Sequence, residues 1–90
     1  MPSDKERADE LEALLLALGP YTHQLETVAL PALLRECKLL YAESRMQDAE
    51  KVEDRIEQTK LEIKANNATL NEIERDLYSL RNRRQPDRDQ

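Results

Sequence analysis

The chain has 90 residues, 37% charged and 39% hydrophobic, with 19 acids against 14 Lys and Arg for a net charge of −5. A single Gly and the lack of Phe and Trp exclude a hairpin-rich β fold and a Gly-rich phosphate loop, and they leave room for one small domain with a marginal core. One Cys and one His cannot build a zinc site or a disulfide framework.

The first predicted element is a helix over about residues 4–18. Ser3-Asp4-Lys5-Glu6 is a capping box, in which the Ser hydroxyl accepts from the third amide while Glu6 reaches back. Asp4, Glu6, Asp9 and Glu10 complement the positive helix start. Leu11, Leu14, Leu15 and Leu18 recur at helical spacing and make one apolar face. Gly19-Pro20 predicts a turn, with Gly at a left-handed cap and Pro unable to continue the helix.

A second helix is predicted from Tyr21. Leu25, Val28, Ala29, Ala32 and Leu33 share one face; Leu30, Leu34, Cys37 and Tyr41 cover an adjacent one, and Leu40 fills the gap. An arc this wide implies burial on more than one side. Pro31 predicts a kink, or a break with a restart at a first-turn position. Residues 1–46 thus read as an apolar helical hairpin. From Ala13 to Leu34 the only charged side chain is Glu26.

Residues 47–84 read as one heptad helix. With Ala49 at a, the a positions are Ala49, Ile56, Ile63, Leu70 and Leu77, and the d positions are Val52, Thr59, Asn66, Ile73 and Leu80. Leu61 is the one strong aliphatic from residue 47 onward outside that seam. A sustained period of 3.5 predicts a coiled coil with at least one other helix. Asn66-Asn67, followed by the capping pattern Thr69-Leu70-Asn71-Glu72, offers a turn instead. The heptad phase crosses Asn66 without a skip, which favours the continuous helix. Residues 85–90 begin with a helix stop and are expected to fray.

Little chemistry is expected. Catalysis needs groups held rigid in a water-excluding pocket, and nothing here walls one off, so the chain reads as non-enzymatic, without cofactor or metal. Glu50, Glu53, Asp54 and Glu57 alternate with Lys51, Arg55 and Lys60 as a solvated helix face does, whereas calcium needs an irregular loop. Arg81, Arg83, Arg84 and Arg88 could contact phosphates, but cations also belong at a helix C-terminus. No leader and no membrane span are evident, so an intracellular, soluble protein, cytoplasmic or nuclear, is expected.

The expected fold is all-α: a short N-terminal helix folded across a Gly-Pro turn onto a long helix that extends as a coiled coil, a helical hairpin or bundle within an oligomer. The first helix looks too short to cover the apolar arc, and the long helix looks to have no mate in its own chain. The expected function is that of a scaffold subunit supplying helices to a complex through Leu25, Val28, Leu33, Leu40, Val52, Ile56, Thr59, Ile63, Asn66, Leu70, Ile73, Leu77 and Leu80. The e and g charges give a parallel homodimer one attraction (Asp76 with Arg81) and one repulsion (Arg55 with Lys60), which does not specify it and leaves room for an antiparallel mate or for a different chain with complementary charges; a heteromeric partner is favoured over self-association. The alternatives are a small secretion or assembly chaperone, which needs the Asn66-Asn67 turn, and nucleic-acid binding through the arginines.

Overall fold

A computed structural model describes residues 3–83 as one antiparallel helical hairpin, 70 × 25 × 15 Å. The first arm runs α1 (Asp4–Gln24), a π-helical stretch (Leu25–Ala29) and α2 (Leu30–Ala42) end to end; the second arm is α3 (Met46–Arg83). The tail expected at 85–90 lies outside the described residues. The capping box is formed as the sequence predicts: the Glu6 amide donates to Ser3 Oγ at 3.1 Å, and the Ser3 amide donates to Glu6 Oε1 at 2.9 Å.

The turn expected at Gly19-Pro20 is absent, and α1 passes straight through both residues. Gly19 does not adopt a positive φ, so no left-handed cap forms. Pro20 lies on the exposed side of the arm, and the carbonyl it orphans belongs to Leu16, whose side chain is also exposed. Water can hydrate that carbonyl, which lowers the cost of a proline inside a helix. On the opposite side Leu18 and Thr22 are drawn into the seam. Burial there outweighs the local preference for a stop.

Near Pro31 the helix changes pitch without breaking. The Leu30 amide donates to the Leu25 carbonyl, five residues back, which is the hydrogen-bond pattern of a π turn. Pro31 falls in the first turn of α2, where a missing N–H is tolerated. The extra residue also corrects the phase of the arm. Buried and half-buried positions run Ala8, Leu11, Leu15, Leu18, Thr22, Leu25 and Ala29, then resume at once as Leu30, Leu33, Cys37 and Leu40. In an unbroken α-helix the second set would sit about 100° around from the first. The π turn brings both onto one line, so the wide apolar arc is two narrow ones, offset by a residue.

The arms meet in a tight turn at residues 43–45. The Arg45 amide donates to the Leu40 carbonyl at 2.9 Å and the Ser44 amide to the Tyr41 carbonyl at 3.0 Å, the paired bonds of a Schellman cap. Its left-handed position is held by Ser44, at φ 61°, where glycine is the usual occupant because a Cβ crowds the following carbonyl. Replacing Ser44 with Gly is therefore expected to stabilise the hairpin by about 1 kcal/mol and to raise Tm by roughly 4–8 °C. A thermal melt that falls instead would mean that Ser44 is not in that conformation.

α3 is continuous through Asn66-Asn67. Its buried and half-buried seam positions follow the heptad series from Ala49 to Leu80, so the period in the sequence correctly marks the face that packs.

Candidate protein-interaction surface

The seam has an apolar cluster at each end. Near the open end Ala8, Leu11 and Leu15 pack with Ile73, Leu77 and Leu80. Near the turn Leu30, Leu33, Cys37 and Leu40 pack with Ala49, Val52 and Ile56. Ala49 is fully buried, and the Cys37 thiol donates to its carbonyl at 3.8 Å. Burial pushes that thiol up, and the nearby Glu53 and Glu36 carboxylates add to the shift, the direction usual for a cysteine packed in an apolar seam.

Between the clusters lies a polar stretch. Among the described residues, Thr22, 2% exposed, has no partner for Oγ1, and Asn66 has none for Nδ2. A buried hydroxyl without a hydrogen bond costs about 1–3 kcal/mol, whereas an apolar replacement of the same shape removes that cost. Thr22→Val is expected to stabilise the hairpin by about 1 kcal/mol, seen as a higher urea midpoint with an unchanged slope. Destabilisation would show that Thr22 makes a hydrogen bond in solution.

Polar contacts flank the seam on both sides. The Tyr21 hydroxyl donates to Glu62 at 2.7 Å, which raises the phenol above its ordinary value. The nearby Glu53 carboxylate pushes the Tyr41 phenol up to about 12. Arg81 donates to Glu12 at 2.7 Å and ties the open ends together. The arginine cluster read as a phosphate site is described in part: Arg81 is engaged with Glu12, while the side chain of Arg83, and Arg84 and Arg88 altogether, lie outside the described residues. His23 is exposed and Cys37 buried. Among the described residues no group of His, Cys, Asp and Glu could hold a metal ion, and no helix is long and apolar enough to cross a membrane.

The residues expected to meet another chain are mostly covered by this one. Leu40, Val52, Ile56, Ile63, Ile73, Leu77 and Leu80 are buried, and Leu25, Leu33, Thr59, Asn66 and Leu70 are half-buried. The expectation that α3 finds no mate in its own chain is overturned: the first arm, uncut at Gly19-Pro20 and at Pro31, covers its whole length. Val28 alone of those candidates remains exposed. The turn at Asn66-Asn67 that the chaperone form needs is absent, because α3 is helical through both residues.

The open apolar surface lies elsewhere, on the outside of the first arm. Leu14, Tyr21 and Val28 recur every seven residues beside the seam and are 53%, 47% and 57% exposed. Leu16 and Leu34 are exposed as well, but Leu34 lies on the other flank, beside Glu53 and Lys60; the stretch from Ala13 to Leu34 that carries this row has Glu26 as its only charge. A shallow trough lined by Leu14, Ala17, Leu18, Tyr21, Thr69 and Ile73 runs between the arms. Leu14, which the sequence groups with Leu11, Leu15 and Leu18 on one apolar face, lies instead on the exposed flank of that face; Ala17 carries no signal in the sequence that would place it there.

No known family model matches the chain, and neither a curated protein nor a solved structure matches it significantly.

Proposed function

We propose that this protein is a non-enzymatic scaffold subunit, a helical hairpin that joins a heteromeric coiled-coil assembly through the outside of its first arm. The observation that carries the reading is the contrast between its two outer faces. The face of α3 is dense with charge, as a solvated helix should be. The face of the first arm from Ala13 to Leu34 has one charge and a row of exposed aliphatics. Contiguous apolar surface of this kind marks an interaction site. A hairpin with an internal seam adds two helices to a larger bundle by covering that second face.

The test is the mass of the protein as it occurs in its source, purified gently and measured by light scattering after size exclusion. A particle well above the mass of one chain, with other polypeptides in fixed ratio, supports the assembly. A monomer overturns it. A particle made of this chain alone would replace the heteromeric reading with self-association.

A further inference from the structure

Resting on that reading, we propose that the trough between the arms is the docking site for a partner helix of basic amphipathic character, whose apolar stripe meets Leu14, Ala17 and Tyr21 and whose Lys or Arg residues meet Glu72 and Asp76. The trough supplies the apolar half of this recognition. Its floor is Leu18 and Ile73, and Leu14, Ala17, Tyr21 and Thr69 complete the lining. Toward the open end it continues past Leu11 to a rim carrying Glu72 and Asp76. Neither of these carboxylates, nor Glu62 further along the same flank, is in an ion pair among the described residues. Two cations also line this end. Arg7 is paired with Glu10 at 3.6 Å, and Arg75 occupies the heptad position opposite the seam. The trough is thus apolar at its centre and acidic along its α3 side.

That charge pattern decides between occupants. A second copy of this chain could offer the outside of its own first arm, but residues 13–34 contain no Lys or Arg to meet Glu72 and Asp76. It could offer the outside of α3, which has cations, but there Leu61 is the one strong aliphatic and no stripe exists. An anionic membrane surface is repelled by the same rim, and interfacial helices place Lys and Arg beside their apolar face, which this arm lacks. A separate helix with both features fits. From Leu14 to Val28 the stripe runs about 21 Å, the reach of a partner helix of four turns.

The experiment uses the full chain and synthetic helical peptides of about 20 residues. One has a Leu stripe flanked by Lys; a second has the same stripe flanked by Glu. Fluorescence anisotropy at low salt is expected to favour the Lys peptide by about fivefold or more, with the preference shrinking at high salt. Glu72→Lys with Asp76→Lys is expected to abolish or invert the preference. Leu14→Ser with Ala17→Gln is expected to weaken binding of the Lys peptide by about tenfold or more, with helicity retained by circular dichroism because both positions are exposed. Equal affinity for the two peptides, binding to neither, or affinity untouched by the trough variant would overturn the proposal. So would a homodimer that the trough variant dissociates, or binding to phosphatidylserine vesicles that the trough variant removes. A native complex that survives the trough variant would sink this docking site and leave the assembly standing, whereas the lack of any native complex would sink the assembly itself.

Discussion

Deleting Lys64 is expected to unfold the hairpin, whereas deleting Val28 is expected to leave it folded. Both residues are exposed helical positions, so a local view assigns the two deletions similar, modest costs. The seam sets them apart. Removing one residue from the middle of α3 rotates one half of it by about 100° relative to the other. Ile73, Leu77 and Leu80, or else Ala49, Val52 and Ile56, then turn away from the first arm. Losing three aliphatic side chains from the seam at about 1.5–3 kcal/mol each forfeits roughly 5–9 kcal/mol, comparable with the whole stability of a small domain at about 5–15 kcal/mol. Deleting Val28 instead removes the one surplus residue of the π stretch. Leu25 and Leu30 then stand four apart, and the positions before and after share one α-helical phase. Circular dichroism melts of the two deletions decide the matter. Equal loss of structure in both would refute the π turn as a phase correction.

The second large effect is a stabilisation. Gly19→Ala together with Pro20→Ala is expected to raise stability by about 3 kcal/mol and Tm by roughly 10–20 °C. A methyl at Gly19 meets nothing within 4 Å, and alanine in a helix interior gains about 1 kcal/mol over glycine. Restoring an N–H at residue 20 gives the Leu16 carbonyl its partner and relieves the ring clash, worth up to about 3 kcal/mol. The greater freedom of the unfolded alanine chain takes back about 0.5–1 kcal/mol. Were residues 19 and 20 a corner between two helices, the same change would destabilise, so the sign of the shift in Tm is the measurement.

Much of the architecture was legible, and the failures have a common physical origin. The capping box at Ser3 and the a and d positions of α3 depend on contacts within one helix turn or on one period, and both were read correctly. Gly19-Pro20 is a strong stop for an isolated helix, but here Leu18 and Thr22 are held in the seam, and a tertiary contact overrides a local preference. The true turn, Glu43-Ser44-Arg45, contains neither Gly nor Pro, so nothing in its composition announced a left-handed residue. The mate of α3 went unrecognised because the heptads of the first arm slip by one residue between Ala29 and Leu30. Two short runs in different phase blur into a broad apolar arc, which reads as a face for several neighbours. Leu14 is apolar and at helical spacing with Leu11, Leu15 and Leu18, so the sequence places it on their face, and only the packed seam shows it to be on the flank.

The single short connection at residues 43–45 also orders how the molecule comes together. Cys37 and Ala49 are separated by a short loop of chain, whereas Glu12 and Arg81 enclose nearly the whole of it. Closing a loop costs more as it lengthens, but only logarithmically, and each pair already formed shortens the loop left for the next. Assembly is therefore expected to run like a zipper from Ser44 toward the termini, through the cluster around Ala49, across the polar stretch at Thr22 and Asn66, and into the cluster around Leu77. Opening is expected to follow the reverse path, with the end bearing the capping box and the Glu12–Arg81 pair the first to separate and the last to close.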